Sequence, residues 1–178
     1  YLMRHGNVTY FDEDGTAYPP DEVPLNEKGR AQTTAAGKVF AEQGIRFDRV
    51  IVSNLPRTIE SATRVLAETG QDIALEQWPE FQEVRGGILE VIHDDDLEAV
   101  FTHAFASMAA EHKKFLDGES VGQLLDRIHP AVDRLRADPS WDTVLLVLHG
   151  GVNRAVLSYA ITSPVSYTHL TLPTTPYV

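Results

Sequence analysis

The chain has 178 residues, enough for one domain with its own core. Its formal net charge of −11 argues against nucleic acid or an anionic membrane surface as main partner, yet allows a locally basic pocket for a small anion. It contains no cysteine, hence no disulfide and no thiolate site, and no apolar run approaches the roughly 20 residues that span a bilayer.

The chain opens without Met, inside an apolar stub, Tyr1-Leu2-Met3, that reads as a strand, so the native N-terminus is expected further upstream. Arg4-His5-Gly6-Asn7 follows at the strand's end. Gly6 lets the backbone approach a ligand closely, Arg4 can grip a planar or tetrahedral anion through its fork, and His5, neutral on one nitrogen, can attack phosphorus. Residues 8–24 carry Asp12, Asp14, Gly15, Pro19, Pro20 and Pro24 and read as a loop, long enough to suggest a substrate-side flap. Asn26 caps a helix predicted to run to about Gln43, where Gly44 stops it. Arg49–Val52 is a short buried strand, Ser53-Asn54 turns the chain, and a helix with Pro56 in its first turn runs to about Glu68. Residues 73–78 predict another short strand.

Residues 79–96 read as irregular, with Glu80, Glu83, Arg85, Gly86 and Gly87. Leu97, Val100, Phe101, Ala104, Phe105 and Met108 keep helical spacing, predicting an amphipathic helix over about 95–115, broken by Gly118. Ser120 and Gln123 form a capping box for a helix with the apolar stripe Leu124, Leu125, Ile128, Val132 and Leu135, and Pro139 follows its end. Thr143–Leu148 is a continuous apolar run, a central strand buried on both faces. His149-Gly150-Gly151 ends it, and a helix is expected from about Val152 to Ile161. After Ser163 the chain turns Thr- and Pro-rich and resembles a translated sequencing-adapter remnant. The expected organisation is therefore one domain over residues 1–163, truncated at both ends, and a non-native or disordered tail over 164–178.

Three predicted strands end in polar signals: Arg4 and His5 after the first, Ser53, Asn54 and Arg57 after the second, His149 and two glycines after the last. Ligands of open α/β sheets sit beyond the carboxyl ends of strands, where helix N-termini also attract anions. Two Arg, two His and helix N-termini on one spot describe a phosphate pocket. The expected architecture is a three-layer α/β sandwich, with a mostly parallel central sheet and helices on both faces.

These segments resemble the histidine phosphatase superfamily, phosphoglycerate mutase-like branch. Arg4-His5-Gly6 matches its defining triplet, and Leu25-Asn26-Glu27-Lys28-Gly29-Arg30-Ala31-Gln32 its first-helix signature. Ser53-Asn54-Leu55-Pro56-Arg57-Thr58 is similar to the second-arginine segment, and Phe81-Gln82-Glu83 to the segment bearing the acid. Gly118-Glu119-Ser120 with Arg127 resembles a later helix signature, and His149-Gly150-Gly151-Val152-Asn153-Arg154 the second-histidine segment. Two departures stand out. Asn7-Val8-Thr9-Tyr10 replaces the Glu-Thr or Glu-Ser run with its nearby Trp-Asn, which leans away from a glycolytic mutase. Arg85-Gly86-Gly87-Ile88 replaces Gly-x-Trp-Glu-Gly after the acid.

The resemblance implies metal-independent hydrolysis of small phosphorylated metabolites through a phosphohistidine. His5 would be the nucleophile and Glu83 the general acid and base, with Glu80 the runner-up acid. Arg4, Arg57 and His149 would hold the phosphoryl oxygens, and Asn7 and Gly150 would add substrate contacts. No metal or other cofactor is implied, and the expected location is cytoplasmic. The rivals are a phosphomutase and a non-catalytic phosphate-binding protein. Asp94-Asp95-Asp96 reads as a helix cap rather than a cation site. His103 and His112 read as helix-surface residues, and Ser53 and Thr58 as turn and helix-start residues, weighed against a pocket role. Arg85 is weighed as a substrate contact or a loop salt bridge, and Arg154 as pocket support or a solvent-facing cation.

Overall fold

The computed structural model describes residues 1–14, 16, 18–86 and 110–162. Four strands form one sheet: β1 (Leu2–Arg4), β2 (Arg49–Val52), β3 (Leu75–Gln77) and β4 (Val144–Leu148). Their order is β1-β4-β2-β3, and every pairing is parallel. Arg4 lies in register with Leu148, and Val52 with Val147. That register brings His5, Ser53 and His149, each the first residue past its strand, to the same edge of the sheet.

The apolar run of β4 is continuous because both its faces are covered. Leu145 and Val147, with Val50 and Val52 of β2, pack against Ala62, Val65 and Leu66 of α2 (Pro56–Thr69) and Phe40 of α1 (Glu27–Glu42). Leu146 and Leu148, with Ile51, pack on the opposite face. There they meet Leu124, Ile128 and Leu135 of α3 (Val121–Ala137) and Val152 and Ala155 of α4 (Gly150–Thr162). The three-layer α/β architecture expected from the sequence is present. Among the described residues no helix is long and apolar enough to cross a membrane.

Local signals act where they were read. The Asn26 side chain accepts from Gly29 N, Gly44 takes φ +66° after α1, and both arms of the Ser120–Gln123 capping box are made. β3 is shorter than expected, yet Trp78 N still donates to Val52 O at 2.8 Å and its ring stacks on Phe81.

The helix expected over 95–115 falls mostly outside the described residues, and its last part is not helical. Residues 110–115 form a turn and an isolated bridge, Lys114 to Ser120. Their carbonyls are taken by the free N-terminal N–H groups of α3: Val121 N donates to Lys113 O and Gly122 N to Glu111 O, at 2.9 and 2.8 Å. Leu116 and Asp117 close the turn in the left-handed region.

Gly6 and Gly29 bring the turn after β1 onto the first turn of α1. A Cβ on Gly6 would lie 2.4 Å from Gly29 O, and one on Gly29 2.0 Å from Asn7 O. Gly6 is thus required by a helix packing on it. Gly29→Ala should cost about 1–3 kcal/mol, the usual penalty for overpacking, read as a fall in thermal midpoint. A variant as stable as the parent would show that this contact is loose.

Candidate active site

His5 is 7% exposed and leaves the sheet at the end of β1. Its Nδ1 lies 2.7 Å from Gly6 O. A carbonyl only accepts, so Nδ1 carries the hydrogen and Nε2 keeps its lone pair. Burial, then the Arg4 and Arg57 cations, push this imidazole from 6.5 down to about 3, against the hydrogen bond to Gly6. The ring is neutral, with its hydrogen on Nδ1.

His149 is fully buried at the end of β4, its ring centroid 5.1 Å from that of His5. Burial, then His5, Arg57, Arg4 and Arg127, hold it well below the ordinary histidine value. Its Nε2 lies 2.6 Å from Ser53 Oγ, and its Nδ1 has no partner among the described residues. Ser53 Oγ lies 3.1 Å from Thr58 Oγ1, which donates to Leu55 O at 2.8 Å. The sequence reads Ser53 and Thr58 as turn and helix-start residues, with a pocket role as the alternative. The signal for a pocket role is Ser53's place directly after β2, the position that His5 and His149 hold after β1 and β4, with Thr58 in the first turn of α2.

Arg57, 7% exposed in the first turn of α2, donates through Nη1 to Pro20 O at 2.9 Å. The 8–24 loop is therefore tied to the site. Burial pulls the Arg57 pKa down from its ordinary value, opposed by Tyr10, Glu83 and Asp21 around it. Arg4 and Glu83 both reach the start of α4, where a Cβ on Gly150 would lie 3.9 Å from Arg4 Nε and 3.9 Å from Glu83 Oε2. Asn7 Oδ1 accepts from Asn26 Nδ2 at 2.6 Å, which leaves the Asn7 amide N–H₂ to donate.

Glu83 accepts from Val84 N through Oε1 (2.9 Å) and from Gly151 N through Oε2 (3.1 Å). This contact explains why α4 begins at Gly150 rather than near Val152: a carboxylate from another segment caps its first turn. Arg127 fixes the segment that carries Glu83. It donates to the carbonyls of Glu80 (2.5 Å), Gln82 (2.7 Å) and Glu83 (3.2 Å) and holds Glu119 with Nε and Nη2. Glu80 instead pairs with Arg134 at 2.9 Å, turned toward the far end of α3. Arg85 contacts Gln82, Arg154 is half-buried on α4, and His112 is exposed in the 110–115 turn. Asp94–Asp96 and His103 lie outside the described residues. Among the described residues no three His, Cys, Asp or Glu side chains group as metal ligands.

The two buried histidines link stability to pH. Their folded pKa values lie below 6.5, so between that value and about 3 the unfolded chain binds more protons. Stability should be fully present above about pH 6.5 and be lost as pH falls toward 3, at up to about 1.4 kcal/mol per pH unit for each proton. Urea unfolding across this range checks it, and His5→Gln should flatten the slope. An unchanged slope would mean that His5 is charged in the folded protein.

Two histidines, two arginines and a carboxylate thus gather about the carboxyl ends of parallel strands. The chain belongs to the histidine phosphatase superfamily (branch 1), whose family model matches residues 1–176. It is 26% identical over 161 residues to a 6-phosphofructo-2-kinase/fructose-2,6-bisphosphatase of Gallus gallus, a match that covers 89% of this chain but only 32% of that protein. It is 29% identical over 153 residues to "Probable phosphoglycerate mutase GpmB" of Escherichia coli O139:H28, covering 84% and 68%. Its fold is similar to a mycobacterial glucosyl-3-phosphoglycerate phosphatase solved with VO3, with a TM-score of 0.70 and 25% identity over 92% of this chain and 80% of that one. It is also similar to a phosphoglycerate mutase from Bacillus anthracis, with a TM-score of 0.71 and 22% identity over 92% and 79%.

Proposed function

We propose that this protein hydrolyses small phosphomonoesters without a metal, through a phosphohistidine on His5. The observation that carries the reading is the Nδ1–H bond to Gly6 O, which leaves Nε2 unprotonated beside Arg4 and Arg57. In the first step His5 Nε2 attacks phosphorus, the P–O ester bond breaks, and the leaving alkoxide takes a proton from Glu83. In the second, water attacks phosphorus, gives its proton to Glu83, and the P–N bond breaks to release phosphate. Arg4, Arg57 and His149 stabilise charge on the equatorial oxygens, the work that a metal does elsewhere, and Asn7 and Gly150 border the same group. A cytoplasmic location, with no nucleic acid or membrane partner, belongs to this proposal. It is supported by the net charge and by the intracellular confinement of charged phosphate esters.

The test is phosphate release across a panel of phosphorylated metabolites, with and without EDTA, and acid-quench trapping of labelled enzyme. Phosphate release that EDTA does not alter, with an acid-labile phosphoenzyme, is expected. Loss of activity in EDTA, restored by magnesium or zinc, overturns the metal-free reading. Return of the phosphoryl group to substrate without phosphate release would favour a mutase, and phosphate binding without turnover a binding protein.

A further inference from the structure

The hydroxyl chain behind His149 has a direction. Leu55 O can only accept, so Thr58 spends its one hydroxyl hydrogen there, alongside the N–H groups of Thr58 and Ile59. Thr58 Oγ1 must then accept from Ser53, and Ser53, its hydrogen spent, must accept from His149. The neutral ring thus holds its hydrogen on Nε2. The nitrogen left for a ligand is Nδ1, buried, without a partner among the described residues, and bearing a lone pair. A lone pair facing a phosphoryl oxygen repels it unless a proton sits between them.

We propose that Ser53 and Thr58 are positioning residues that keep the His149 hydrogen on Nε2, so that an oxyanion enters this site together with one proton, shared between Nδ1 and the phosphoryl oxygen facing it. The inference rests on the pocket taking a phosphomonoester and adds which protonation state it takes: the monoanion, or equivalently the dianion plus a proton on His149. The charged and titratable groups around the ring are Arg4 and His5 after β1, Arg57 on α2, Arg127 on α3 and Glu83 beside Gly151. Burial, His5 and these cations hold His149 well below the ordinary histidine value. An arriving dianion reverses that balance.

The experiment is titration calorimetry of the full chain with inorganic phosphate at pH 8, in two buffers of different ionisation enthalpy, which counts protons taken up on binding. At pH 8 inorganic phosphate is mostly the dianion, and the parent should take up about one proton more than Ser53→Ala or Thr58→Val. Without Ser53 the ring can move its hydrogen to Nδ1. Without the Thr58 hydroxyl, Ser53 is free to turn and donate to Nε2. Ser53→Thr, which restores the hydroxyl, should restore the uptake. His5 and Glu83 can also take up protons, but that uptake does not depend on Ser53. Equal uptake in the parent and both hydroxyl-deleted variants overturns the relay and leaves the phosphatase reading intact. Failure of phosphate to bind the parent at all overturns both.

Discussion

His5→Ala should abolish turnover, with kcat lowered by about 10⁴-fold or more and no phosphoenzyme trapped on acid quench. A methyl group cannot attack phosphorus, and among the described residues no second nucleophile is placed to replace it. The other imidazole, 5.1 Å away, is held by Ser53 through Nε2 and lacks the Gly6 contact that orients His5. The loss should appear in kcat rather than in phosphate affinity, because Arg4 and Arg57 remain. Since His5 is buried, the variant's thermal midpoint is measured beside its kinetics. A folded His5→Ala protein that still turns over within tenfold of the parent would place the nucleophile elsewhere.

Glu83→Gln should slow alkyl phosphates by about 10²–10⁴-fold and a nitrophenyl phosphate far less, since a good leaving group needs little protonation. The amide also cannot keep both backbone contacts: one end would turn an N–H₂ toward the N–H of Val84 or Gly151. Glu80→Gln should leave both substrates nearly unchanged, because Glu80 pairs with Arg134 outside the site. Equal losses on alkyl and aryl esters for Glu83→Gln would remove it from the proton-transfer step and leave it the cap of α4.

Much of this protein is legible in its sequence, wherever the signal is local. The Ser120–Gln123 box, the Asn26 cap, Gly44 after α1 and Pro56 at the start of α2 each act within one turn of themselves. The unbroken apolar run of β4 announced a strand covered on both faces, and polar residues after three strands announced a shared edge. These features follow from backbone stereochemistry and solvent exclusion, which a short stretch of chain expresses by itself.

What only the tertiary structure decided are the contacts between segments distant in sequence. Glu83 rather than Glu80 reaches α4 because Arg127, 44 positions on from Glu83, gathers the carbonyls of that segment. The start of α4 moved to Gly150 because a carboxylate 68 positions from Gly151 caps it. Gly6 is required by the backbone of Gly29, and the carbonyls of residues 111 and 113 go to the end of α3 instead of to a helix of their own. The hydrogen positions on both histidines are set the same way, by a carbonyl in one case and by Ser53, 96 positions away, in the other. Residue type and spacing show which groups can donate or accept. Which of them meet is decided by the packing of the sheet and its helices, because a hydrogen bond forms only where the fold brings its partners within about 3 Å.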